Sequence, residues 1–377
     1  MSIINIIIFL LCKKAITDNI AIFEIDGYNY NRPFLSIDFP NEDVIHSLEL
    51  NTYLNYSAFD LEHLNSSQII NRNCSLLLEE QITSILYYTD IKIQNKVLVE
   101  HLSLYSTPDI HLARDNGIGL GYHFNNESFS IVHKLYKSMH LPHLQFSFHN
   151  ANDDMKGHLY IGGIPDNNHL LYPYKGIVKV NEDLPTWGFN MTSIIINGRE
   201  YKVELPCIVN TAIRLAIISD DLYQLIIDDV LKEEVKNKLC REERDASQRY
   251  LRCNKNIIKG SFDFVFNNEV KIMMSINDFM MSKGKSSETY ELYSNNKDPH
   301  PIHYFNGVIF GMNFLNRFNY TVFDYENKQM EFYSDSYVIE KNVQNSFTVI
   351  KTLVTITIVL TILNLILLTY TKFIIII

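Results

Sequence analysis

Between Phe34 and Phe323 the chain keeps returning to short stretches of β-branched and aromatic residues. They run Phe34 to Ile37, Ile91 to Ile93, Leu144 to Phe148, Leu159 to Ile161, Ser193 to Ile196, Phe262 to Phe266 and Thr321 to Phe323. Turn residues such as Asn197-Gly198 and Asn267-Asn268 separate them, which predicts many short strands. Two stretches show a helical stripe instead. Ser128 to Ser138 places Phe129, Val132, Leu135 and Tyr136 on one face. Asp220 to Leu239 does so with Leu222, Leu225, Ile226, Val230 and Leu231. A chain of this pattern and of 377 residues predicts a mainly β protein with two sheet lobes. Its 46% apolar and 20% charged residues are a globular composition. A net charge of −10 without a basic stripe argues against a nucleic-acid partner. No solenoid-period repeat or low-complexity segment is visible.

The two ends predict where such a body resides. Ile3 to Cys12 is apolar and is followed by Lys13-Lys14. Residues 1–17 are read as a secretory signal peptide, with a buried strand as the alternative. Thr352 to Thr371 is an uncharged run of twenty residues between Lys351 and Lys372, interrupted by Asn364. At about 1.5 Å per residue it reaches roughly 30 Å, the thickness of a bilayer's hydrocarbon. It predicts a transmembrane helix with snorkelling lysines, a cleaved lipid-anchor signal being the alternative. The lipid bilayer is then a partner through residues 352–371, with the ectodomain luminal or extracellular. N-x-S/T sequons at Asn55, Asn65, Asn73, Asn126, Asn190 and Asn319 permit glycosylation at that address.

Several segments, in order, resemble pepsin-like aspartic peptidases. They are Asp115 to Tyr122 (DNGIGLGY), Phe146-Ser147-Phe148, Gly157 to Gly163 (GHLYIGG), Trp187-Gly188-Phe189 with Ile196-Asn197-Gly198, and Cys207 to Ala212 (CIVNTA). Ile309 to Leu315 (IFGMNFL) and Thr321 to Asp324 (TVFD) complete the series. The resemblance implies a bilobal acid-protease fold with two β-barrel-like lobes, here 18–170 and 171–340, and a central cleft for an extended peptide. It also implies one catalytic Asp-Thr-Gly loop per lobe. Phe34 to Pro40 and Leu48 to Tyr53 (LELNTY) resemble the stretch that carries the first loop. Both expected aspartates are then asparagines, Asn51 and Asn210. Thr52 and Thr211 persist, and Tyr53 and Ala212 stand where the family has glycine. A gapless match from Ser36 instead puts Glu49 at the first aspartate, but Thr52 and the alternation of Leu48 and Leu50 favour Asn51.

Catalysis of the family's kind needs two carboxylates sharing one proton, one acting as acid and one as base. Asparagine matches the shape and has no proton to cycle. Tyr53 is expected to crowd the loop, because glycine there lets the backbone pass close to the dyad. The flap tyrosine and glycines are also missing, the region falling near Leu76, Leu77, Leu78, Glu79 and Glu80. The family's basic pro-segment finds little room before a first strand expected near Tyr28 to Phe34.

Other side chains carry less. His140, His143 and His149 lie close in sequence but lack zinc-ligand spacing, so no metal or other cofactor is expected. Cys240 and Cys253 bracket a charged stretch and can close a loop in an oxidising lumen; the family carries a disulfide in about this part of its second lobe. Cys74 and Cys207 are left as a second bridge or as two buried thiols. Met273, Met274, Met280 and Met281 are expected to pack a core. No G-x-S-x-G or phosphate loop occurs. The leading expectation is a membrane-tethered, peptide-binding pseudoprotease. The alternatives are an active endopeptidase with an atypical site, and a surface adhesion or structural protein that uses the outside of the fold.

Overall fold

The computed structural model describes residues 20–341, apart from 27–32, 39–44, 56, 61–68, 76–82, 95–96, 108–116, 124–126, 151–156, 166–170, 197, 215, 245–248, 255–260, 268, 276–280, 283–288, 295–304 and some side chains, and beyond them residue 361. The chain divides into two compact units, Met1–Glu340 and Lys341–Ile377. Among the described residues no helix is long and apolar enough to cross a membrane. The expected signal peptide at 1–17 lies outside them, as does the expected span at 352–371 apart from Thr361.

Among the described residues three sheets build the first unit. A seven-stranded sheet has the spatial order Phe34–Asp38, Ile45–Asn51, Gly117–Gly119, Ser57–Asp60, Val97–Thr107, Thr83–Ile93, Ile69–Ser75. An eleven-stranded sheet draws its strands from Gly188–Ile196 onward. A six-stranded sheet combines both halves of the sequence, in the order Ala21–Ile25, Gly157–Ile161, Gln145–Asn150, Tyr320–Asp324, Gln329–Ser334, Tyr174–Lys179. The predicted strands all form, and the fold is mainly β. The first described strand begins at Ala21, before the expected start near Tyr28. Ala21–Ile25 alternates buried and exposed residues and pairs antiparallel with Gly157–Ile161, so the core face of the six-stranded sheet recruits it.

The six-stranded sheet shows how alternation sorts the side chains. Phe23, Leu159, Phe148 and Phe332 lie in one cross-strand row and are buried in the large core. Phe146 stacks on Phe323 with ring centroids 4.6 Å apart, and Trp187 meets Phe323 edge-on at 5.2 Å. Such pairs add about 0.5–1.5 kcal/mol each beyond burial of their area. The adjacent row holds His158, His149, Tyr320, Tyr333 and Lys175 across five strands.

Both helical stretches differ from the sequence pattern. The first helix is Ile131–Met139, preceded by a 3₁₀ turn over Glu127–Phe129. Ser130 caps it, its hydroxyl accepting from the His133 backbone N–H, and this sets the start later than Ser128. The second stretch is not one helix. It breaks into Asp220–Leu225, a π segment Ile226–Val230 and Lys232–Lys236. The Leu231 N–H donates to Ile226 O at 3.0 Å, and this wider turn buries Ile226, Ile227, Val230 and Leu231 together.

The paired cysteines and the sequons also find their places. Cys240 and Cys253 are cross-strand register partners and form a disulfide. Cys207 is a free, buried thiol. Met274 is buried in the core, and Met280 lies outside the described residues. Asn319 is buried, its Oδ1 accepting from the Asp335 N–H, so this sequon is closed to a glycan in the folded chain. The Asn55 amide is engaged as well, donating to Pro185 O and accepting from the His123 N–H.

Candidate functional site

Two loops meet where the first and second halves of the sequence face each other. One follows the strand Ile45–Asn51, the other the strand Arg199–Val209. The strands are equivalent in their surroundings. The first pairs parallel with Gly117–Gly119, the second parallel with Val308–Phe310. Leu50 N–H donates to Pro33 O at 2.8 Å, and Val209 N–H donates to Trp187 O at 2.9 Å.

The loops are then locked together by their threonines. The Thr52 N–H donates to Thr211 Oγ1 at 3.0 Å, and the Thr211 N–H donates to Thr52 Oγ1 at 3.1 Å. Each hydroxyl in turn donates to the opposite strand, Thr52 to Val209 O at 2.9 Å and Thr211 to Leu50 O at 2.5 Å. Both threonines have no exposed surface. The sequence needs a hydroxyl here because each Oγ both donates and accepts, which no apolar residue of that size can do.

Asn51 and Asn210 stand immediately before the two threonines, 4% and 2% exposed. Asn51 Oδ1 accepts from the Tyr53 N–H and Asn210 Oδ1 from the Ala212 N–H, both at 2.9 Å. These are equivalent Asx turns, one in each loop. The matching of the two loops also places Glu49. It lies two residues before Asn51, as Ile208 lies two before Asn210, so its counterpart is not a loop residue. Glu49 is a strand residue, paired with Phe34 and Gly117 and 4% exposed.

Tyr53 and Ala212, where glycine was expected, carry no backbone strain, since neither has a positive φ. The expected crowding is resolved sideways. Tyr53 packs against the buried cluster Ile208, Ile217 and Ile309 of the other half, beside Leu184, Ile213 and Phe305. Leu77, expected near the flap, lies outside the described residues.

Other residues support the site that sequence reasoning gave no role. The Thr186 hydroxyl donates to Thr52 O. Trp187, the only tryptophan, donates its indole N–H to Leu120 O at 2.7 Å. The Leu120 N–H in turn donates to Asn51 O at 2.8 Å, which ties the tryptophan to the first loop. Tyr325, directly after the Thr-Val-Phe-Asp segment, donates to Gly121 O at 2.9 Å, and burial pushes its phenol well above the ordinary range. The Gly119 N–H donates to Ser57 Oγ at 3.1 Å. A lone tryptophan before a strand is the available signal for Trp187, and the long-range partners of Thr186 and Tyr325 leave none.

Chemically, the pair offers two neutral carboxamides on a rigid frame. Neither side chain ionises, so the proton cycling that two carboxylates perform is absent at these positions.

The sheets and the gripped loops define a mainly β, bilobal pepsin-like fold. The chain belongs to the eukaryotic aspartyl protease family, whose sequence profile matches residues 81–334. It is similar in structure to the aspartic proteinase from Irpex lacteus, with 14% identity, a TM-score of 0.61, and coverage of 85% of this chain and 98% of that chain. It is also similar to basic 7S globulin from soybean (14% identity, TM-score 0.63, 87% and 96% covered). Conglutin gamma, a basic 7S globulin from lupine seeds, matches with 14% identity, a TM-score of 0.62 and 84% and 95% covered. No curated protein sequence matches the chain.

Proposed function

We propose that this chain is a non-catalytic member of the aspartyl protease family that holds an extended peptide without cutting it. It is tethered to a membrane of the secretory pathway or cell surface through 352–371, with its body luminal or extracellular. The observation that carries the reading is the pair of Asx turns: the residues flanking the threonine grip are Asn51 and Asn210, each with its Oδ1 committed to a backbone N–H. A peptide hydrolase of this family needs a base that takes a proton from water and an acid that gives one to the carbonyl. Two carboxamides supply neither. The grip itself is intact, so the frame persists where the chemistry does not.

Family membership and fold leave that choice open, because similar structures carry the names of both a proteinase and seed globulins. Backbone pairing along a cleft suits an extended peptide of varied sequence. The uncharged run Thr352 to Thr371 supports the tether.

The test is cleavage of a mixed peptide library by the full chain in detergent between pH 3 and pH 6, beside the Asn51→Asp/Asn210→Asp variant. No cleavage by the native protein, with cleavage by the variant, is the expected outcome. Native cleavage that a transition-state mimic of aspartic peptidases blocks overturns the reading and directs attention to Glu49.

A further inference from the structure

The two carboxamides are oriented, and the orientation says what they can bind. A backbone N–H can only donate, so the atoms that face Tyr53 N and Ala212 N are oxygens. The other corner of each amide is therefore Nδ2, a donor with two N–H groups. Among the described residues no hydrogen bond to either Nδ2 is present. Neither Nδ2 is among the fully enclosed polar atoms that lack a partner, so each is reachable from solvent although the residues are only 4% and 2% exposed. A buried donor of this kind is costly unless something accepts from it.

Where two aspartates would present oxygens and negative charge, this chain presents only N–H donors and no charge. The reciprocal Thr52–Thr211 contacts at 3.0 and 3.1 Å bring the two loops that carry these amides together. Such a pair matches a group with two acceptor oxygens. Hydrogen bonds to an ionised acceptor are about twice as strong as neutral ones, which favours a carboxylate over a backbone carbonyl.

Resting on the reading that the cleft holds peptide, we propose that Asn51 and Asn210 together bind the free C-terminal carboxylate of a peptide. The ligand class is then a peptide that ends at the site, such as a product of prior proteolysis, and not one that runs through it.

The test uses the full chain in detergent at pH 7 and two labelled pools of mixed hexapeptides, identical except that one ends in a free carboxylate and the other in a carboxamide. The acid pool is expected to bind about tenfold more tightly, the scale of one charge-assisted hydrogen bond. The preference should vanish or invert in the Asn51→Asp/Asn210→Asp variant, where like charge repels the ligand. It should also fade below about pH 4 as the terminal carboxyl protonates. Equal binding of both pools by the native protein overturns the proposal while leaving peptide binding in place. If neither pool binds, the peptide reading fails by itself, and acetate then decides the proposal. Acetate-induced shifts in two side-chain amide signals of ¹⁵N-Asn-labelled protein, both missing from the double variant, support it. Their absence overturns it.

Discussion

Thr52 and Thr211 hold each other. The backbone N–H of each donates to the hydroxyl of the other, at 3.0 and 3.1 Å, across 159 residues of sequence. This reciprocal contact fixes the loops that carry Asn51 and Asn210.

Removing one hydroxyl should therefore cost stability in excess of one hydrogen bond. Thr211→Ala leaves the Thr52 N–H and Leu50 O unsatisfied in a buried site, at about 1–3 kcal/mol for each such group. Thr211→Ser retains the hydroxyl and is expected to fall close to the native protein. Urea unfolding of the three proteins measures the difference. Equal midpoints for Ala and Ser would show that the grip is not structural.

Restoring the acids should make stability depend on pH in a defined sense. In Asn51→Asp/Asn210→Asp two carboxylates share one site, and their repulsion raises one folded-state pKa above the unfolded value of about 3.9. A raised pKa contributes stability at low pH that is lost as pH rises through it. The deficit of the double variant against the native chain should thus be larger at pH 7 than at pH 4. It grows by roughly 1.4 kcal/mol for every tenfold weakening of the acid on folding. Chemical denaturation at the two pH values reads this, and a deficit independent of pH would argue that the two side chains do not interact.

His149 supplies a second pH effect, on the opposite face of the six-stranded sheet from the core. It stacks on Tyr320 with centroids 4.2 Å apart and lies beside its register partner His158. Burial first, and His158 second, hold its imidazolium down to a pKa of about 4. The folded state then takes up fewer protons than the unfolded one between about pH 6.5 and pH 4, so stability falls as pH drops through that window. His149→Phe keeps the ring and removes the titration. The thermal midpoint of the native chain should drop more between pH 7 and pH 4.5 than that of the variant.

The Cys240–Cys253 bridge joins register partners on adjacent strands, 13 residues apart. Closing a loop of that length stabilises by about 3 kcal/mol in the chain-entropy account. Cys240→Ser/Cys253→Ser is expected to lose about that much, and a reductant should affect the native chain and not the variant. Denaturation with and without reductant checks both statements.

The strands are legible in the sequence because each depends on its own alternation. Gly188–Ile196 and Ser261–Phe266 contain their predicted cores, and only the ends differ. The stretch after Asp220 reads as one continuous helix because its apolar residues fit one helical face, while the π segment at Ile226–Val230 arises from packing that local sequence does not encode. The strand Ala21–Ile25 is hidden for a related reason, since its partner Gly157–Ile161 is distant in sequence. Motif order points to the family, and the Asn-Thr dipeptides mark both loops.

What the sequence determined by itself is local: alternation, turn residues, and the identities of Asn51, Thr52, Asn210 and Thr211. Those follow from residue type and spacing alone. Only the tertiary structure decided that Asn51 and not Glu49 is the equivalent of Asn210, that Tyr53 turns aside onto Ile208, Ile217 and Ile309, and that each amide presents its nitrogen as the uncommitted corner. Those outcomes depend on hydrogen bonds and contacts between segments far apart in the chain, 159 residues for the Thr52–Thr211 pair. Such partners are chosen by the packing of whole sheets and not by neighbours along the chain.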